Sequence, residues 1–180
     1  MRAFQLETWE ARARERFRRS VGSDPERSRA RLVVDLDAAR GLDEVVRWAG
    51  GRGVSVAFTN RRDAGVFSSE EKTIYINSTQ AFERQLFVLL HECGHLLVGS
   101  EKPGAHHRFK LGYPSSDDPN LRGKFIHRCA VLEEEFEAWH RGHRLAKKLG
   151  IEIAEDRWAK LKATLIKSYI KWTMKHDDYW

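Results

Sequence analysis

The sequence predicts an α+β fold: a short, mostly antiparallel sheet set among helices. Two observations carry this. Several long segments repeat apolar residues at helical spacing, and between them lie short β-branched and aromatic runs bounded by turn residues. Glycine and proline punctuate the boundaries where each period changes. At 180 residues the chain is one domain, or one domain with helical extensions, long enough to bury a core without disulfide or metal staples. The segmentation read here is a helical N-terminal extension over 1–41, a central domain over 42–150 and a C-terminal helix over 151–180 packed on that domain.

Residues 2–19 read as a basic amphipathic helix with Phe4, Trp9, Ala13 and Phe17 at near-helical spacing. Ser23-Asp24-Pro25 breaks it and opens a second helix, with Pro25 at the tolerated first position. Residues 25–40 are read as helix, although LVVDL within them also suits a strand. A separate short helix, Leu42 to Ala49, is stopped by Gly50-Gly51. Val54 to Thr59 reads as a strand. Ala64 to Phe67 and Thr73 to Asn77 form two more, joined as a hairpin around SSEEK. The last of these is a candidate edge for binding a substrate backbone; its ordinary role is sheet formation.

Asn77-Ser78-Thr79 supplies capping side chains for a strongly apolar helix ending at Gly99. Residues 100–123 lack periodicity and form a loop longer than the roughly 15 residues above which loops tend to be functional. A helix follows from about Lys124 to Leu149, stopped by Gly150. The last helix, from about Ala154 to His176, aligns Trp158, Leu161, Leu165, Tyr169 and Trp172, with lysines opposite. That face is read as packing on its own domain rather than as a surface for nucleic acid, an acidic partner or a membrane.

Composition narrows the function. No apolar run approaches the roughly 20 residues of a membrane span, and MRAFQLETWEARARERFRR has no unbroken apolar core of a secretory signal. Cys93 and Cys129 make no disulfide framework, so a reducing, cytoplasmic setting is expected. The net charge of +6 permits contact with nucleic acid. Its bases are spread along the chain rather than gathered in a block, so nucleic acid is not the favoured partner.

His91-Glu92-Cys93-Gly94-His95 fits HExxH. Histidines at i and i+4 share a helix face, so both imidazoles reach one Zn²⁺. The glutamate between them, Glu92, is the general base that takes a proton from a zinc-acidified water and passes it to the leaving amine. A glutamate among FVLLHECGHLLV is an odd choice for a purely structural helix. Val98 and Glu101 stand where HExxHxxGxxH needs glycine and histidine, so a third histidine of that class is excluded.

The third ligand is then sought in VLEEEFEAWHRGH. Leu132, Phe136 and Trp139 define an apolar direction that His143 and Ala146 extend. Glu135 lies about 60° from it, Glu133 about 100° and Glu137 about 140°, while Glu134 points away. Glu135 is the first choice and Glu133 the second; Glu134 and Glu137 read as solvated. His106, His107, His127, His140 and His143 are auxiliary candidates, with His127 or His143 as an oxyanion donor or substitute ligand; a surface or supporting role is the simpler reading. Tyr113 is a candidate hydrogen-bond donor to substrate. Cys93 and Cys129 read as small packing residues.

A short strand ending TIYINS, the helix RQLFVLLHECGHLLVG and a later helix with EFEAW together resemble the ImmA/IrrE metallopeptidase-like family over roughly residues 42–149. That family pairs an HExxH helix with a Glu-x-Glu-Ala-Asn helix. Glu135, Glu137 and Ala138 match the second motif, and Trp139 stands where asparagine is usual. The resemblance implies a small gluzincin-like, zincin-like domain with two active-site helices and His91, His95 and Glu135 on zinc. It further implies proteolysis of a specific protein partner, often a DNA-binding repressor in phage or mobile-element settings. The competing expectation is a non-cleaving zinc protein that grips a transcriptional regulator or nucleic acid. The sequence leaves the oligomeric state open.

Overall fold

The computed structural model describes residues 2–20, 25–60, 65–68, 70–99, 111–113 and 118–174. Among them the order is α1 (Arg2–Ser20), α2 (Pro25–Gly50), β1 (Ser55–Thr59), β2 (Val66–Ser68), β3 (Thr73–Asn77), α3 (Phe82–Gly99), α4 (Phe125–Lys148) and α5 (Glu155–Met174). The α+β class read from the sequence is borne out. The chain divides into two compact units, Met1–Leu89 and Leu90–Trp180, with the division inside α3.

In the first unit α2 runs unbroken past Gly41, where the sequence pattern predicts two separate helices. Its buried stripe explains the continuity: Ala38, Ala39, Leu42, Val45 and Ala49 keep helical spacing across residues 40–42. The small Gly41 is itself buried. Trp9 and Ala13 of α1 are buried as well, and Trp9 sets its ring edge-on to Phe58 and Phe82 at centroid distances of 4.4 and 5.8 Å.

The sheet order is β1-β3-β2. β2 and β3 form the expected antiparallel hairpin, with Phe67 opposite Ile74. β1, however, pairs parallel to β3 from Ser55–Thr73 to Thr59–Asn77. The sheet is therefore mixed rather than mostly antiparallel. Because β2 turns back on β3, the chain leaving β1 crosses over before β3, and local hairpin signals do not reveal the sense of such a non-local pair. β3 is consequently central, with neighbours on both sides, which removes it as a free edge for substrate. Ile74 and Ile76 are fully buried and alternate with partly exposed Thr73 and Tyr75, the period of a strand.

Asn77 turns β3 into the next helix. Its Oδ1 accepts the Thr79 N–H at 2.9 Å and the Thr79 hydroxyl at 2.7 Å, an Asx turn. Gln85 Nε2 donates to the Gln80 carbonyl at 2.6 Å, tying down the same entry.

In the second unit the C-terminal half of α3 lies against α4 at backbone range. A Cβ on Gly94 would collide with the Ala138 carbonyl, and one on Gly142 with the Leu90 carbonyl. Two glycines, one from each helix, thus permit an approach that larger residues forbid. α4 ends in a Schellman motif: Gly150 takes φ 69°, its N–H reaches Lys147 O at 3.2 Å, and the Ile151 N–H reaches Ala146 O at 2.9 Å. α5 packs along α4 through Trp158, Ile166 and Thr173, all buried. Tyr169 and Leu165 are only partly covered, and Trp172 lies at the edge of that face.

Candidate metal centre

The close helix crossing brings three side chains together. From α3, His91 Nε2 lies 3.2 Å from Glu135 Oε2, and His95 Nε2 lies 3.3 Å from Glu135 Oε1. The three side chains offer ligand atoms that all lie within 4.8 Å of one another. Two ligands each 2.0–2.1 Å from a tetrahedral zinc stand about 3.4 Å apart, so the histidine–glutamate separations suit a shared metal. Glu135 is 1% exposed, and its Oε2 and His91 Nδ1 find no hydrogen-bond partner among the described residues. Buried carboxylate oxygens seldom go without a partner, and a cation against Oε2 supplies one. The donor set of two imidazoles and a carboxylate fits a catalytic zinc.

Electrostatics favour a cation as well. Burial works against a charged His95, yet hydrogen bonds to Glu134 and Glu135 and the charges of Glu135 and Glu92 outweigh it and push its pKa up to about 10. Glu135 is likewise opposed by burial, but its contacts with His91 and His95 hold it ionised, well below the usual carboxylate range.

Supporting groups fix the ligands. Trp139 stacks on the His91 ring at 4.4 Å and 20°, and Trp158 sets its edge on Trp139 at 4.9 Å. Glu134 Oε1 lies 3.8 Å from His95 Nδ1, and its Oε2 accepts the Tyr113 N–H at 3.1 Å. The Tyr113 hydroxyl donates to Glu135 Oε1 at 2.6 Å and lies 3.3 Å from the Tyr169 hydroxyl. Burial first, then the Glu135 charge, raise both phenols far above the ordinary tyrosine range, so both stay protonated donors. The charge of Glu92 is felt at His95 and Tyr169, and the Glu92 side chain is buried.

The structure therefore brings His91, His95 and Glu135 together, while Glu133 is exposed and away from the cluster. Glu134 is a correction: it is buried beside His95 rather than solvated. Phe136, one of the residues that set the apolar direction, is 42% exposed, whereas the buried stripe runs Val131, Glu134, Glu135, Ala138, Trp139, Gly142 and Leu145. Glu137 pairs with Arg141 at 2.8 Å.

His127 and His143 are engaged elsewhere, His127 Nδ1 with Leu111 O at 2.8 Å and His143 Nε2 with Glu155 at 2.9 Å. His140 is exposed, and His106 and His107 lie outside the described residues. Cys93 is buried, and neither cysteine is in a disulfide. Tyr169 escaped the sequence reading because it sat within an apolar helical stripe; only its pairing with Tyr113 distinguishes it.

An HExxH helix crossed by a glutamate-bearing helix is the arrangement expected of a metallopeptidase. Residues 52–117 match the family model of the IrrE N-terminal-like domain, a peptidase family, which bears out the resemblance read from the sequence. The matched stretch includes His91, Glu92, His95 and Tyr113 and stops short of Glu135 and Tyr169. No curated protein and no solved structure matches the chain. Among the described residues no helix is long and apolar enough to cross a membrane.

Proposed function

We propose that the chain is a zinc-dependent metalloendopeptidase that cleaves a specific protein partner, with Glu92 as general base. The convergence of His91, His95 and the buried Glu135 carboxylate carries this reading. Zinc held by these three would acidify a water and polarise the scissile carbonyl. Glu92, one residue along α3 from His91, accepts the proton that the water loses as its oxygen bonds to the carbonyl carbon. Glu92 then returns that proton to the amine nitrogen as the C–N bond breaks. The Trp139 and Trp158 rings cover the face of His91 and keep bulk water from it.

A folded protein, a DNA-binding repressor by the family resemblance, is the proposed substrate, and a cytoplasmic, phage or mobile-element setting accords with it. The test is a pair of chains, wild type and Glu92→Gln, incubated with lysate of the host and followed by identification of retained and cleaved proteins. The expected result is a partner cleaved by wild type, and held intact by Glu92→Gln at unchanged zinc content, with cleavage reduced at least 10²-fold. A partner bound equally by both chains and cut by neither would establish the binding protein instead.

A further inference from the structure

The carboxylate that faces the two histidines also gathers two phenols. Tyr113 donates to Glu135 Oε1 at 2.6 Å, a short charge-assisted bond. Tyr169 stands 3.3 Å from the Tyr113 oxygen, long for a bond between hydroxyls, which centres near 2.7–2.8 Å. Tyr169 shares a hydrogen bond with Glu135 as well, so both phenols converge on the carboxylate that faces the histidines. Tyr169 also lies within electrostatic reach of Glu135 and Glu92, the candidate ligand and the candidate base.

Its position is stiff. One turn on, Thr173 returns its hydroxyl to the Tyr169 carbonyl at 2.8 Å. The Thr173 carbonyl in turn accepts Arg128 Nε of α4 at 3.1 Å, and Arg128 is buried and also donates to Gly123 O. Ile166 and Thr173, on either side of Tyr169 along α5, are buried. A donor held this way needs no reorganisation when charge develops in front of it.

We propose that Tyr169 is a catalytic residue of this site, donating its hydroxyl to the oxygen of the carbonyl under attack as that oxygen becomes negative. This rests on the peptidase reading above. It makes α5 part of the active site, although the helix lies wholly beyond the stretch that matches the family.

The test uses the full chain loaded with cobalt(II) and titrated with acetohydroxamate, an anionic probe of the same site, read from the visible cobalt bands. Wild type and Tyr169→Phe should each take up one cobalt per chain and unfold at similar temperatures. Acetohydroxamate should bind Tyr169→Phe about 10–100-fold more weakly, the loss of one hydrogen bond to a charged oxygen. Equal hydroxamate affinity at intact cobalt content would overturn the role of Tyr169 and leave the metal site standing. Loss of cobalt from Tyr169→Phe alone would overturn it too, because the tyrosine would then act through the ligands. A wild-type chain that takes up no cobalt would remove the peptidase reading, and this proposal with it.

Discussion

Four glutamates in five positions of α4 meet four different surroundings. Glu135 faces both histidines, Glu134 backs His95 and holds the Tyr113 N–H, Glu137 pairs with Arg141, and Glu133 is exposed. Glu134→Ala should therefore weaken zinc binding about 10–100-fold, as loss of an outer partner does, and Glu133→Ala should leave it unchanged. Competition with a chromophoric chelator measures both.

Asp35 of α2 offers a separate check. It is 8% exposed, and burial raises its pKa more than the charges of Arg16 and Arg31 lower it. A raised folded value means that its contribution to stability is present below the unfolded pKa and is lost as pH rises through the folded one. Asp35→Asn should stabilise the chain at pH 7 by on the order of 1 kcal/mol or less, with the gain vanishing below about pH 4. Thermal unfolding across that range measures it.

HExxH was readable because its spacing is its chemistry. Glu135 was readable too, but from an axis drawn through the half-exposed Phe136. A helix that buries two carboxylates, two alanines and a glycine defeats hydrophobicity as a guide to its inner face, which is why the sequence pattern puts Glu134 in solvent.

Among the elements, the crossing of α3 and α4 governs the site. Gly94, inside HExxH, touches the Ala138 backbone, and Gly142 the Leu90 backbone. Gly94→Ala puts a methyl where only a carbonyl fits, and backbone cannot swing aside as a side chain can. It should destabilise the chain by about 1–3 kcal/mol or more and weaken zinc binding along with it, because Glu135 rides on the displaced helix. Gly99→Ala, with nothing near its Cβ, should do neither. Denaturant unfolding and zinc titration of both variants measure the contrast.

Element positions were largely legible, since periodicity and punctuation set them: β3 matches its expected span, and the later helices end within a few residues of theirs. What local patterns do not carry is pairing. The parallel β1–β3 ladder and the continuity of α2 across Gly41 depend on neighbours distant in sequence.

At the scale of the whole molecule, both histidines and the glutamate belong to the unit Leu90–Trp180, whereas the family match covers 52–117 and so draws on both units. The candidate site thus joins α3, inside the matched stretch, to α4 beyond it, with α5 added by the proposed role of Tyr169. Zinc K-edge absorption of the purified, zinc-loaded chain tests that assembly most directly. One zinc per chain is expected, with only nitrogen and oxygen neighbours at about 2.0–2.1 Å and the outer scattering of two imidazoles. A sulfur neighbour at about 2.3 Å, which would draw in a cysteine, or the absence of stoichiometric zinc, would contradict it.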